Sequence, residues 1–160
     1  MKPNDKDFAE FARLGLRFRI LPPTAVTAWA DGIIAETDVP PTWLVDLAMA
    51  TDSESMENAL RLVPGDAHAD LAMCLFLALV YRQLRSGGLT VRDVHSIGWS
   101  LHCELALPNP DGQADWGVCL EVECEELDAG WRTEDDLRAS IEQKLAQYSV
   151  HVESLPVWIS

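Results

Sequence analysis

The chain has 160 residues, of which 48% are hydrophobic and 24% charged, and its formal net charge at neutral pH is −14. This composition is typical of a folded globular protein and excludes a disordered or fibrous chain. The negative charge argues against nucleic acid and against an anionic membrane as partners, because the protein would repel their phosphates. It is compatible with a basic protein partner, or with acidity that serves only solubility.

The cysteines and the apolar runs indicate a cellular compartment. Cys74, Cys103, Cys119 and Cys124 lack the close spacing of a secreted disulfide framework. The first residues contain no apolar signal-peptide core, and the longest uncharged apolar run, residues 71–81, is too short to cross a bilayer. We therefore expect a cytoplasmic protein with reduced thiols.

The first half of the sequence predicts helices. The stretch from Ala67 to Arg85 is long, apolar and free of Gly and Pro, which predicts a buried central helix at about 67–85. Its apolar residues lie on more than one face, so other elements must cover it on several sides. Helical spacing and capping residues predict further helices at about 5–16, 24–36, 42–50, 53–62 and 90–97.

After residue 98 the apolar residues alternate, as they do in strands. The alternation at about 99–107 and again at about 116–124 predicts an antiparallel hairpin. Helical spacing returns at about 134–148, and the tail at about 150–158 is a candidate third, edge strand. The predicted fold is therefore α+β: a helical layer over about 5–98, then a small antiparallel sheet with one helix over about 99–160. We expect residues 1–160 to form a single domain.

Acidic residues cluster on both sides of the central helix. Residues 21–66 hold eight acidic and one basic side chain, and residues 108–160 hold twelve and three. On the predicted strand, Glu121, Glu123 and Glu125 form a row on one face, where like charges repel unless something offsets them. That row is either a solvated face that prevents edge-to-edge sheet pairing or a surface for a basic partner. The candidate partner-binding residues combine this acidic run with flanking aromatic side chains: Trp116, Glu121, Glu123, Glu125, Asp128 and Trp131.

No arrangement typical of catalysis or metal binding stands out. Possible metal ligands lack CxxC or HExxH spacing, and we predict neither a metal nor a cofactor; these residues are His95, His102, Cys103, Cys119, Cys124 and His151. No nucleophile elbow or phosphate-binding loop is present in the sequence. An enzyme would need a dispersed site, such as His102 with Glu104 or Asp115.

A small acidic protein with a helical scaffold, an acidic strand face and no catalytic constellation is similar in type to the immunity proteins that neutralise basic toxin domains. The resemblance rests on type and on no motif. It implies a non-enzymatic cytosolic protein that holds a basic protein partner through its acidic surface. The alternative is a self-associating structural module, a homodimer paired through its final strand and Trp158.

Overall fold

The computed structural model describes residues 3–68, 70–104, 116–156 and 159. Every regular element in these ranges is helical, and helices account for 75% of the described residues. Eight α-helices are followed by a 3₁₀ helix, Ala146–Ser154. The α-helices are α1 Asp5–Arg17, α2 Pro23–Ala35, α3 Thr42–Met49, α4 Ser53–Arg61, α5 Leu71–Ser86, α6 Val91–Glu104, α7 Trp116–Asp128 and α8 Glu134–Leu145.

The predicted α+β fold is wrong, because none of its three strands is found in the described part of the chain. The segment predicted as a strand at about 99–107 is helical in α6 as far as Glu104, and residues 105–107 lie outside the described ranges. The segment at about 116–124 belongs to α7. The tail at about 150–158 continues the 3₁₀ helix to Ser154, while residues 157 and 158 are not described.

The alternating pattern that suggested strands arises because it includes apolar residues that are exposed to solvent in the fold. In α6 the buried apolar side chains are Val91, Val94, Ile97 and Leu101, which follow helical spacing. Trp99 and Cys103, which completed the strand-like pattern, are exposed.

The same explanation holds in α7. Leu120 and Cys124 are buried at a spacing of four residues, whereas Val122 between them is exposed. Glutamate is a good helix former and is depleted in strands. The Glu-rich composition of this segment was therefore the signal for a helix.

The chain forms two compact units, Met1–Phe76 with Glu153–Ser160, and Leu77–Val152. This division does not test the expectation of a single domain, which stays a prediction. In the first unit α1 packs on α4, and α3 packs on both α2 and α4. These helices enclose one apolar core: Ala9, Ala12, Leu16, Val26, Trp29, Ala30, Leu44, Leu47, Met56, Ala59, Leu60 and Val63.

Asp7 connects the start of α1 to a distant part of the first unit. Its carboxylate and Asn4 form a capping box, with the Asn4 N–H donating to Asp7 Oδ2 at 2.8 Å. The His68 N–H also donates to Asp7 Oδ1 at 2.7 Å, and His68 Nδ1 lies 2.7 Å from Asp7 Oδ2. Burial alone would raise the pKa of Asp7, but these hydrogen bonds outweigh it and hold the pKa below its ordinary value.

In the second unit α6 packs on α7 and α8, which also pack on each other. Arg138 of α8 donates to the Leu84 carbonyl near the end of α5 at 3.1 Å. The predicted central helix corresponds to α5, which begins at Leu71 rather than Ala67 and is completely buried from Leu75 to Val80. Within the described ranges, no helix has both the length and the apolar character needed to cross a bilayer.

Candidate protein-binding site

The predicted acidic row lies on a helix rather than a strand, and this changes which residues are neighbours. Successive residues of an α-helix are rotated by about 100°, so Glu121 and Glu125 share a face while Glu123 faces roughly the opposite way. The three side chains therefore do not form one acidic row. Each has its own surroundings.

Glu121 contacts α6. Its Oε2 lies 2.7 Å from Nε2 of His95, which is partly buried between the two helices. A protonated His95 would make this contact a salt bridge, and a neutral ring can still donate from Nε2. The partner of Glu121 is thus a residue of this same chain.

Glu123 contacts α8 and is the least exposed of the three glutamates. Its Oε1 accepts from Lys144 Nζ at 2.6 Å and from the Ser140 hydroxyl at 3.0 Å, and Lys144 also donates to Ser140 at 2.7 Å. Arg132 lies 3.8 Å from the other oxygen, Oε2, which is buried and has no hydrogen-bond partner among the described residues. This network ties α7 to α8.

Two more acidic residues of α7 are also paired within the chain. Glu126 Oε2 accepts from Arg132 at 2.9 Å, and Asp128 Oδ1 accepts from Arg92 of α6 at 2.6 Å. The hydrogen bond and negative charge of Asp128 raise the pKa of Arg92 above its ordinary value. Bases of the second unit therefore already offset much of the acidic run, without any external partner.

Glu125 differs from its neighbours. It is exposed and makes no salt bridge with a described residue. Glu134 and Asp135, in the first turn of α8, are likewise exposed and form no salt bridge within the described part of the chain. These three carboxylates add negative charge that no described base offsets through a salt bridge.

The backbone conformation at the end of α7 keeps the Trp131 side chain exposed to solvent. Gly130 adopts a φ of 75°, its N–H donates to the Leu127 carbonyl at 3.0 Å, and the Trp131 N–H donates to the Glu126 carbonyl at 2.9 Å. This is a Schellman motif, in which the residue at the Trp131 position often covers an apolar side chain at the Glu126 position. Here that side chain is charged and paired with Arg132. Trp131 therefore remains 85% exposed.

The exposed indole borders an open cleft of about 610 Å³. Two carboxylate residues, Glu126 and Asp136, line this cleft together with Trp131; the other lining residues are Arg132, Ala139, Ser140 and Gln143. Asp136 closes the capping box of α8, and hydrogen bonds from the hydroxyl and the N–H of Thr133 lower its pKa. The cleft therefore combines an aromatic side chain with two carboxyl groups.

The structure does not bring the two predicted aromatic anchors together. Trp116 begins α7 and Trp131 follows its end, and the helix between them is about 18 Å long at 1.5 Å per residue. The side chain of Trp116 lies outside the described part of the structure. Of the six predicted site residues, Glu125 and Trp131 are the ones shown to be exposed without an ion-pair partner among the described residues.

Neither catalysis nor metal binding gains support. No group of three or more His, Cys, Asp or Glu side chains is placed to hold a metal ion in the described ranges. Burial raises the pKa of the Cys124 thiol, which disfavours the reactive thiolate. Of the dispersed candidates, His102 lies 5.6 Å from the Trp99 ring, whereas Asp115 and the side chain of Glu104 lie outside the described residues.

Sequence reasoning missed the bases that pair with the acidic run and the cleft itself. The missed partners are Arg92, His95, Arg132, Ser140 and Lys144. A helical interpretation of 116–128 would have placed Glu121 and Glu123 on different faces, each needing a separate partner. The spacing of Ser140 and Lys144, four residues apart on α8, was the available signal for a shared contact.

No protein-family model, curated protein or solved structure matches this chain. The fold and the site therefore define only a class: a helical protein, in its described residues, with an exposed tryptophan beside an acidic cleft.

Proposed function

We propose that this chain is a non-enzymatic binding protein that holds a basic protein partner, similar in type to immunity proteins, and that it acts in the cytoplasm. The single observation that carries the proposal is Trp131, which is exposed beside a cleft lined by Glu126 and Asp136. Tryptophan is enriched among the few residues that dominate binding energy at protein interfaces. Burial of its indole would supply affinity.

The charge balance supports a basic partner. All three bases of residues 108–160, namely Arg132, Arg138 and Lys144, pair with carboxylates of the chain itself. Glu125, Glu134 and Asp135 lie nearby in sequence and remain exposed. Surplus surface charge of this kind mainly accelerates encounter with an oppositely charged protein.

The proposed contact therefore centres on Trp131, with Glu125 as the predicted acidic residue that needs no rearrangement to meet a partner. Glu121, Glu123 and Asp128 stay within the proposal. Each would contribute only the part of its negative charge that its basic partner in this chain does not neutralise. Trp116 stays a candidate contact at the other end of α7. Glu134 and Asp135 were not among the predicted site residues. They join the proposed contact because they are exposed in the first turn of α8.

One part of the interface expected for self-association is not found among the described residues. It required a final strand to pair with another copy, and that segment is a 3₁₀ helix from Ala146 to Ser154. Trp158, the other element of that interface, is not among the described residues.

The test is affinity capture from a lysate of the source organism at low salt, with wild-type and variant baits compared by quantitative mass spectrometry. We expect the wild-type bait to retain a basic protein. A salt gradient should then release that protein. Trp131→Ser should lose it, and the combined variant Glu125→Gln, Glu134→Gln, Asp135→Asn should retain it more weakly and with slower association.

Two matched controls separate the site from general acidity. Asp5→Asn, Asp70→Asn, Glu153→Gln removes the same charge from exposed positions of the first unit, and Val150→Ser removes an exposed apolar side chain elsewhere. Both should behave as wild type. Equal retention by wild type and Trp131→Ser, or equal losses in both charge variants, would contradict the proposed site.

A further inference from the structure

The first unit carries exposed apolar side chains of its own, on α3 and at the end of α4. Met49 is 74% exposed and Leu62 is 65% exposed, and both line an open groove of about 350 Å³. The rest of the groove is small or polar: Asp46, Ala50, Thr51, Ser55, Asn58 and Ala59. Two large apolar side chains in one groove are more than scattered surface hydrophobicity.

The core of the first unit does not need these side chains. Leu44 and Leu47 bury the inner face of α3, while Val45 and Met49, four residues apart, share its outer face. At the end of α4, Leu60 is fully buried and Leu62 is turned to solvent. Helix α3 is therefore apolar on two sides, and only one is covered by the described residues of its unit.

The chain segment that forms the groove is acidic. Residues 21–60 contain no Lys or Arg and seven carboxylates: Asp31, Glu36, Asp38, Asp46, Asp52, Glu54 and Glu57. Asp46 lines the groove itself, and Glu54 is exposed in the first turn of α4. The next base along the chain, Arg61, is 3.9 Å from Glu57.

We propose that the groove between α3 and α4 docks an amphipathic helical segment of a partner protein, with apolar side chains flanked by Lys or Arg. Helices commonly bind grooves in this way, with side chains one turn apart as anchors. The flexible Met49 side chain suits such an apolar contact. The lysines or arginines would meet Asp46 in the groove and Glu54 in the first turn of α4.

Charge complementarity favours this occupant over the alternatives. A second copy paired face to face would place one acidic surface against another. An anionic lipid surface would repel the same carboxylates. A basic amphipathic helix satisfies both the apolar and the charged parts of the groove, and it does so in a different unit from Trp131.

The test uses the full chain and a fluorescently labelled synthetic helical peptide of Leu and Lys, followed by fluorescence anisotropy at low salt. A peptide of equal charge with Gly and Ser in place of Leu measures binding by charge alone. Met49→Ser and Leu62→Ser should each weaken binding of the Leu/Lys peptide roughly tenfold. Asp46→Asn with Glu54→Gln should weaken it further and reduce its salt dependence.

Val150→Ser, which removes an exposed apolar side chain outside the groove, should bind as wild type does. Hydrogen exchange on the bound protein should show protection in α3 and α4. Equal binding of the Leu-free peptide, or equal weakening by Val150→Ser, would overturn the proposal. Self-association or vesicle binding that depends on Met49, without peptide binding, would also overturn it and identify a different occupant.

The result is independent of the test of the proposed function. Peptide binding that survives Val150→Ser but is lost in Met49→Ser assigns the groove whatever the lysate capture shows. Lysate capture that depends on Trp131 but not on Met49 supports the acidic cleft alone. The two surfaces can therefore fail separately.

Discussion

Glu123 of α7 and Lys144 of α8 meet at 2.6 Å between Oε1 and Nζ, and the Ser140 hydroxyl bonds to both. Because Glu123 is mostly buried, its charge depends on this contact more than an exposed carboxylate would.

Lys144→Met should therefore destabilise the protein by about 1–3 kcal/mol, since it leaves a mostly buried carboxylate with one hydroxyl partner and a distant Arg132. Adding Glu123→Leu should recover much of the loss. Urea unfolding of both variants measures this. Arg92→Met, which removes the exposed pair with Asp128, is the control and should change the free energy of unfolding little. Equal losses in Lys144→Met and Arg92→Met would contradict the role given to burial.

Asp7 should make the folding stability of the protein depend on pH in the acidic range. The pKa of Asp7 is lowered in the folded state, so its contribution is complete above the unfolded value of about 3.9 and is lost as pH falls through the folded value. Asp7→Asn should cost about 2–3 kcal/mol at neutral pH, and its stability should fall less than that of wild type below the unfolded pKa. Urea unfolding across this pH range tests it. Asp5→Asn, at an exposed position of the same turn, should keep the wild-type pH profile.

Gly15 and Gly32 should respond oppositely to alanine. A Cβ at Gly15 would lie 2.4 Å from Cδ1 of the buried Leu21, so Gly15→Ala should destabilise by about 1–3 kcal/mol. A Cβ at Gly32, in α2, meets nothing within 4 Å, so Gly32→Ala should stabilise by about 0.5–1 kcal/mol through helix propensity. Thermal and denaturant unfolding distinguish them. A stabilised Gly15→Ala would show that Leu21 moves aside at little cost.

At position 19, glycine should give a more stable protein than alanine does. It follows α1 with a φ of 56°, and the Ile20 N–H donates to the Gly15 carbonyl at 2.9 Å, as in a Schellman motif that ordinarily holds glycine. Arg19→Gly should be about 1 kcal/mol more stable than Arg19→Ala, which removes the same side chain but keeps the backbone strain. Chemical denaturation of the two variants measures the difference. No difference between them would mean that the strain is negligible.

The helices before residue 98 were predictable because their apolar residues have helical spacing, and in α1 and α4 a capping residue agrees with that spacing. Asn4 and Asp52 cap α1 and α4 through their side chains, and buried residues such as Phe11 and Leu44 lie at helical positions. Between residues 98 and 124 the apolar spacing is misleading instead. Exposed apolar residues such as Trp99 and Val122 produced an alternating pattern that burial would normally explain.

The candidate site was predictable as composition but not as geometry. The sequence shows that acidic residues cluster and that Trp131 lies beside them. It does not show that His95 and Lys144, 26 and 21 residues away in the chain from Glu121 and Glu123, fold back to pair with them. Such pairing depends on how α6 and α8 pack against α7, which local patterns do not encode.

The Asp7 and His68 contact also has a kinetic consequence. It joins residues 61 positions apart, so forming it closes a long loop and costs chain entropy that neighbouring helical contacts do not. The start of α1 is therefore complete only when the segment after α4 has arrived. Local opening that releases His68 would leave the buried Asp7 carboxylate with Asn4 alone, and we expect amides of both regions to exchange with solvent as one cooperative group.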